Sequence, residues 1–375
     1  MNRKLKILQI VPELNAGGVE RGTLELARFL VNMQHESVVL SNGGRMQKKL
    51  EIEGSRHIKL PVHRKHILSF AYIFHLRNLL LRESFDIVHL RSRMPAWISY
   101  AAWKMLPRNK RPKLVTTFHG FYSVNSYSGI MTKAQGIICV SNSVKKYVLE
   151  NYFINKNKPL KVIHRGVDPN YFIYNYKAPE NWLCEWNKEF KSLKEKFIIT
   201  LPGRLTKWKG HQDLLEIVYY LKKDGIPVHT LFIGDVNQRK VHYYKRLKRN
   251  ISKLNLEDDV TILKHRDDLR EIMSISDLVV SCSTDPEAFG RVSLEALTLG
   301  IPVIAYEHGG VKEQLGELFP YGAIEANKKS SMRLKIKEFY TLKEKPKPVK
   351  NTQFTLDKTN QKVLRFYQKM LEPPK

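Results

Sequence analysis

The chain has 375 residues, more than one ordinary core takes and suited to two domains. Its three cysteines, Cys139, Cys184 and Cys282, are far apart and show neither metal-ligand spacing nor a disulfide framework; Cys139 and Cys282 lie in apolar runs and read as buried thiols of a reducing cytoplasm. The formal charge of +28 points to nucleic acid, anionic lipid or a phosphorylated substrate. With no zinc finger, RNA-binding sheet signature or aromatic–basic stripe, an anionic membrane or acceptor is favoured and no specific nucleic acid is expected. No apolar run approaches the ~20 residues needed to span a bilayer and no signal peptide is recognisable, so the expectation is a protein in solution or on a membrane surface.

Residues 6–11 read as a buried strand, followed by a loop carrying Gly17 and Gly18 and an amphipathic helix over 19–31. Strand, Gly-Gly loop and helix is how a parallel sheet offers backbone N–H groups to a phosphate. Tight-turn geometry alone also accounts for the glycines, and the pattern is not the Gly-x-Gly-x-x-Gly dinucleotide fingerprint. Residues 37–40 give a second strand. From 54 to 113 the chain carries thirteen Lys or Arg against two acids, Glu83 and Asp86. Within it, 66–82 reads as a helix, either packed on a core or resting partly in anionic lipid. Strands follow at 86–90, 114–118 and 136–141. The first leads to Arg91 and Arg93, the second to His119 and Gly120. A histidine just past a strand lies at the ligand edge of an open α/β sheet, although a single histidine is more often structural. Residues 173–196, aromatic and charged, read as a connection with a short helix.

A second domain opens with a strand over 197–201. Arg204 and Lys209 follow, in the loop before a helix that starts at His211. A planar guanidinium and a compact ammonium suit a diphosphate, and a helix N-terminus already favours an anion; the alternative is a basic surface loop. Strands are expected at 228–233, 260–263 and 278–282. A helix over 290–299, stopped by Gly300 as a C-cap, leads to a strand over 301–305. Glu287 lies outside the carboxyl end of the strand before this helix, and Glu295 lies in its early turns. Seven residues separate them, so they can reach different parts of one extended ligand, or they are a solvated loop residue and a charge on a helix surface. The N–H groups near Phe289, Gly290 and Arg291 mark the helix start, where an anion is favoured. Beyond about 323 the chain turns Lys-rich and, around Pro346 and Pro348, linker-like. Residues 356–371 read as a last helix.

The run Pro286-Glu287-Ala288-Phe289-Gly290, with Glu295-Ala296, Gly300-Ile301-Pro302-Val303 and Gly309, Gly310 and Glu313, resembles the Glu-x7-Glu region of retaining glycosyltransferases of family 4, of the GT-B fold. The likeness extends to Gly17-Gly18-Val19-Glu20, to Thr117-Phe118-His119-Gly120, to Val140-Ser141-Asn142-Ser143, to Gly166-Val167-Asp168 with Phe172, and to Gly203-Arg204-Leu205 with Lys209-Gly210. It thus covers nearly the whole chain. It departs at Lys264-His265-Arg266, where the family usually has a glycine near the nucleotide base.

The resemblance implies an α/β protein of GT-B class, two facing doubly wound Rossmann-like domains with an interdomain cleft. These would be residues 1–172 on the acceptor side, a connection over 173–196, a nucleotide-sugar domain over 197–350, and a helix over 351–375 of the kind that often crosses back to the first domain. It implies a retaining hexosyltransferase that needs no metal and no cofactor, the nucleotide-sugar being a substrate. Catalytic roles would fall on His119, Glu287, Arg204 and Lys209. Donor binding would involve Gly17, Gly18, Arg204, Lys209, Glu287, Phe289, Gly290, Arg291 and Glu295, with Glu295 on the ribose and Glu287 on the sugar hydroxyls. The first half also looks like a bacterial subgroup associated with lipopolysaccharide core assembly, mannosyltransferases included. That likeness implies GDP-mannose as donor, a lipid-linked inner-core saccharide as acceptor, a place on the inner face of the cytoplasmic membrane, and acceptor contacts from Arg91, Arg93, His63 and Arg64. The alternatives are a relative using a UDP-sugar or a soluble acceptor, a sugar-nucleotide epimerase on the same fold, and a non-catalytic basic binding protein. The oligomeric state is left open.

Overall fold

The computed structural model describes residues 3–15, 17–63, 71–235 and 241–373. In chain order the first elements are β1 (Lys6–Ile10), α1 (Gly18–Asn32), β2 (Glu36–Ser41), α2 (Gln47–Ile52), β3 (Arg56–Lys59), α3 (Ala71–Glu83), β4 (Ile87–Leu90), α4 (Arg93–Lys104), β5 (Lys113–Phe118), α5 (Ser126–Gly129), β6 (Gly136–Cys139), α6 (Asn142–Asn151) and β7 (Leu160–Val162). They continue with α7 (Glu180–Glu189), β8 (Phe197–Pro202), α8 (His211–Lys223), β9 (Val228–Ile233), α9 (Val241–Lys253), β10 (Val260–Leu263), α10 (Leu269–Ser274), β11 (Leu278–Ser281), α11 (Arg291–Leu299), β12 (Val303–Tyr306), α12 (Gly309–Leu318), β13 (Ala323–Ile324), α13 (Lys329–Thr341) and α14 (Leu356–Leu371).

Two compact units result, one of residues 1–165 with 356–375 and one of residues 166–355. The first holds a sheet in the order β3-β2-β1-β4-β5-β6-β7, the second one in the order β10-β9-β8-β11-β12-β13. Every pairing in both is parallel. Helices cover such sheets on both faces, so central strands read as unbroken apolar runs; β8 and β9 are buried at every residue. The chain order reverses between β1 and β4 and again between β8 and β11. Those are the points where an open α/β sheet leaves a crevice for a ligand, outside the carboxyl ends of its strands.

The last helix belongs to the first unit. Val363, Leu364, Phe366, Tyr367 and Met370 of α14 pack with Leu5, Ile7, Leu26, Ile87 and Ile138 in one buried cluster. A Cβ at Gly136 on β6 would stand 2.8 Å from Met370 Sδ and 3.0 Å from the Phe366 ring, so the glycine lets the helix lie close without those side chains shifting. Tyr367 Oη lies 2.6 Å from His89 Nδ1, and His89 Nε2 lies 2.7 Å from Thr117 Oγ1.

Several elements differ from the sequence reading. Residues 56–59 form an edge strand, β3, whose half-exposed pattern hides it from a search for apolar runs. Arg56 there does not offer a free charge, because it donates to Glu83 at 2.6 and 3.2 Å. Residues 329–341, inside the stretch read as Lys-rich and given no element, form α13. Its Met332, Ile336 and Phe339 are fully buried in the second core, at a spacing of four and three that the intervening lysines mask. Trp182 and Trp186, in the segment read as a connection, stack at 5.1 Å and join a cluster with Ile198, Ile233 and Ile272. The helix expected over 66–82 is described from Ala71 onward, with Leu76 and Leu80 buried and Phe74 59% exposed. Helix α4 was not anticipated; Pro95 lies in its first turn, where proline is tolerated.

Glu83 ties α3 to both ends of the first sheet edge, accepting from Arg56 and from Lys6 Nζ at 2.9 Å. These bonds hold its carboxyl down at about 2. A group depressed in the folded state contributes stability above its unfolded value and loses it as pH falls through the folded one. Glu83→Gln should therefore cost roughly 1 kcal/mol near neutral pH, since the pairs are partly solvated. In urea titrations the deficit should shrink between about pH 4.5 and about 2; a deficit independent of pH would refute this account.

Candidate functional site

In the second unit the loops after β8 and β11 flank the reversal point. The first carries Arg204, Lys207, Trp208 and Lys209, and Thr284 of the second donates its N–H to the Trp208 carbonyl at 2.8 Å. Gly210 makes this approach possible: its φ is 74°, and a Cβ there would stand 2.0 Å from the Cys282 carbonyl oxygen. Across the junction Lys209 Nζ donates to Glu287 Oε1 at 2.7 Å, with both side chains 14% exposed. Nζ also lies 4.5 Å from the Trp208 ring centroid. Ser283 Oγ donates to the same carboxylate oxygen at 2.6 Å. Both bonds fall on Oε1, and among the described residues none reaches Oε2.

Burial alone would raise the Glu287 carboxyl. The Lys209 charge and hydrogen bond, the Ser283 hydroxyl and the nearby His308 ring outweigh it, and the group ends below its ordinary value. His308 Nε2 lies 2.6 Å from the Ser283 carbonyl. Gly310 N donates to the Glu287 carbonyl at 2.8 Å, and a Cβ at Gly309 would come within 2.1 Å of that oxygen. The Gly-Gly pair thus lets the start of α12 lie directly under the Glu287 loop.

Helix α11 begins at Arg291 after Gly290 and stops at Gly300, whose φ of 82° is the expected left-handed cap. Gln314 Nε2 donates to the carbonyls of Phe289 and Gly290, and the Phe289 ring packs edge-on against Phe354 at 6.1 Å. Glu295 is 3% exposed, so it is not a solvated helix charge. Arg291 Nε donates to it at 3.0 Å. Arg204 is exposed, and among the described residues no hydrogen bond or ion pair holds its guanidinium. Of the loop's three cations, Lys209 is therefore committed to a carboxylate, while among the described residues the Arg204 guanidinium is not.

In the first unit the corresponding edge holds Gly17, Gly18, Arg91 and His119. Arg165, just past β7, donates from Nη1 to the Gly18 carbonyl and contacts His119 Nδ1 through Nη2, each at 2.7 Å. A Cβ at Gly17 would stand 2.5 Å from Glu20 Oε2, and one at Gly18 2.8 Å from Arg165 Nη1. What approaches these two glycines is the chain's own carboxylate and guanidinium. Burial, followed by the charges of Arg165 and Arg91, pushes the His119 imidazole well below its ordinary value.

These side chains form two local clusters, one in each unit. Comparisons with known proteins bear on the family. A model described as Glycosyltransferase Family 4 matches residues 16–171, and one described as Glycosyl transferases group 1 matches residues 185–353. The crystal structure of a glycosyltransferase from Rickettsia africae ESF-5 superposes with a TM-score of 0.86 at 31% identity, covering 99% of this chain and 100% of that one. The chain belongs to the glycosyltransferases of the GT-B fold. The N-acetyl-alpha-D-glucosaminyl L-malate synthase of Bacillus anthracis is 24% identical over 326 residues, 83% of this chain and 81% of that protein. Anabaena Alr3699/HepE, solved in complex with UDP and glucose, shares the fold with a TM-score of 0.77 at 20% identity, covering 97% of this chain and 99% of that one.

In this glycosyltransferase the structure joins Lys209 to Glu287, and Arg291 to Glu295. It joins His119 to Gly18 only through Arg165. Arg91 is 7% exposed and donates to Gln9 Oε1 at 2.9 Å, so it is a buried cation under the sheet edge and not a surface one. Arg93 donates to Ser128 Oγ at 3.1 Å and lies over the rings of Tyr122 and Tyr127, at 4.7 and 5.4 Å. His63 is half-buried, with no hydrogen bond to Arg91 or Arg93. Arg64 lies outside the described residues. Ser283, His308 and Arg165 were not singled out from sequence. Each stands within a few residues of the carboxyl end of a strand (β11, β12 and β7), the one signal that could have found them. Among the described residues no group of three or more His, Cys, Asp or Glu is placed to hold a metal ion, and no helix is long and apolar enough to cross a membrane.

Removing one partner of a largely buried ion pair strands the other. Lys209→Met should destabilise the fold by roughly 3 kcal/mol, and Lys209→Met combined with Glu287→Gln should recover much of that loss. Denaturant titration of the full mutant cycle measures the coupling, and additive single effects would show that the pair is not coupled.

Proposed function

We propose that this glycosyltransferase moves a hexose from a nucleotide-sugar to an anionic lipid-linked saccharide, retaining anomeric configuration and using no metal. The best reading of the donor is GDP-mannose, and of the acceptor the inner core of lipopolysaccharide at the inner face of the cytoplasmic membrane. The observation that carries the transferase chemistry is the pairing of Lys209 with Glu287 at the β8/β11 reversal point, beside an unpaired Arg204.

Departure of a nucleoside diphosphate develops negative charge on its phosphates. Fixed cations already in place stabilise that charge without reorganising when it appears. Arg204 suits a planar two-point contact and Lys209 a point contact. The first turn of α11 adds backbone N–H groups at a helix N-terminus. Glu287 Oε2 accepts from hydroxyls of the transferred sugar, and Glu295 from the ribose. No enzyme carboxylate is assigned as a nucleophile, so no covalent glycosyl intermediate is expected.

The acceptor side rests on Arg93 and the edge around His119. Its anionic character is supported by the net charge of +28, although Arg56, Arg91 and Arg93 each have partners and do not form one open basic face. A second reading, transfer from a UDP-sugar, is favoured by the Anabaena protein that was solved with UDP and glucose. The base-proximal position bears on this choice. His265 is exposed and pairs with Asp267 at 3.2 Å, while Arg266 is turned into a double contact with Asp268.

A thermal-shift panel of GDP, UDP and ADP, each with common sugars, on wild type and Lys209→Ala separates these readings. A ligand held about 100-fold above its dissociation constant stabilises the fold by about 2.7 kcal/mol. A shift with GDP-mannose that is lost in the variant is the expected result. A shift confined to UDP-sugars would discard mannose, and no shift with any nucleotide would discard the transferase reading.

A further inference from the structure

We infer that Arg165 is a positioning residue of the transfer site: its guanidinium fixes His119 in the tautomer that carries the proton on Nε2, leaving that N–H as a hydrogen-bond donor for a hydroxyl of the transferred sugar. The inference rests on the nucleotide-sugar reading for the identity of the ligand, and on the geometry of the first unit alone for the tautomer.

A guanidinium has five N–H donors, no acceptor, and does not deprotonate in proteins. Its Nη2 lies 2.7 Å from His119 Nδ1, so Nδ1 must present a lone pair. An imidazolium would turn an N–H against this cation. A neutral imidazole holds one proton, which leaves Nε2 as its only place. Burial and the charges of Arg165 and Arg91 keep the ring neutral. Nε2 is itself buried and has no hydrogen-bond partner among the described residues. Buried donors are rarely left unmade unless something outside the resting protein satisfies them. A sugar hydroxyl oxygen fits that donor, and a proton to be abstracted does not: with Nε2 already protonated, His119 donates a hydrogen bond and does not act as a base there.

The same guanidinium reaches the other way, from Nη1 to the Gly18 carbonyl at 2.7 Å. One side chain therefore ties the loop before α1 to the imidazole and sets where both stand. Tyr122 holds the backbone here, its hydroxyl accepting from the main-chain N–H of His119 at 3.3 Å.

Two-bond nitrogen–proton spectra of the full-length protein labelled at histidine nitrogens report each tautomer, with His119 assigned through His119→Gln. In wild type His119 should be protonated on Nε2 alone and should not titrate near neutral pH. Arg165→Gln, which can accept as well as donate, should release the ring to mixed tautomers and weaken nucleotide-sugar binding by up to about tenfold, the worth of one hydrogen bond. Arg165→Lys keeps a cationic donor and should retain the Nε2 tautomer and part of the affinity. A wild-type His119 protonated on Nδ1, or an Nε2 tautomer untouched in Arg165→Gln, overturns the inference; the wild-type spectrum decides the first point even if a variant fails to fold. A wild type that binds no nucleotide-sugar would remove the transferase reading, while the spectra would still decide what Arg165 does to His119.

Discussion

In a sheet whose strands all run one way, every loop that leaves the end of a strand leaves from the same edge. Both sheets here obey that constraint without exception among the described residues, and the candidate chemistry follows from it. Lys209, Ser283, Glu287 and His308 come from loops after β8, β11 and β12. Gly18, Arg91, His119 and Arg165 come from loops after β1, β4, β5 and β7. These residues are scattered through the sequence and are gathered only because each follows a strand.

The two edges handle charge differently. In the second unit a lysine and a carboxylate neutralise each other at 2.7 Å, and the serine hydroxyl shares the same oxygen. Such a pair keeps two charges in a poorly solvated place by making each the other's counterion. In the first unit the buried groups are mostly cationic or neutral. Arg91 is held by an amide oxygen, and the rings of His89 and His119 are kept uncharged by burial and by the arginines around them. Glu20 and Glu25 are the nearby acids, and burial raises the Glu20 carboxyl against the pull of Arg165 and Arg91. An edge with this balance suits an electron-rich ligand, whereas the other edge already carries an internal anion beside its cation.

Much of this was legible in the chain. The strand–loop–helix alternation and the Gly300 cap follow from apolar runs and from residues that start or stop helices, whereas Arg204, Lys209, Glu287 and Glu295 came together only through the family resemblance. Less legible were elements whose apolar pattern is diluted. Helix α13 buries Met332, Ile336 and Phe339 beneath a lysine-rich face, and β3 is an edge strand with no fully buried residue. Also hidden was the difference between a charge that is present and a charge that is available. Arg56, Arg91 and Arg93 read in sequence as a basic surface, yet a carboxylate, a buried amide and two aromatic rings respectively occupy them. Composition records each arginine but not its partner. Ser283, His308 and Arg165 escaped for a related reason: they act on other side chains, through contacts that only the folded backbone creates.

The ownership of α14 has a consequence for how the protein is made. The first sheet is covered on one side by α14, a helix that follows the whole second unit in the chain. A growing chain that has released all seven strands of that sheet still lacks Tyr367 for His89 and the apolar side chains that close over Ile7, Ile87 and Ile138. Domains generally fold as units while they are synthesised, first part first. Here the opening part must hold an unfinished, apolar surface throughout translation of the entire second unit, and its core closes only once α14 has emerged. The interval in which this chain is exposed to wrong partners is thus set by the length of its second half and not by its own.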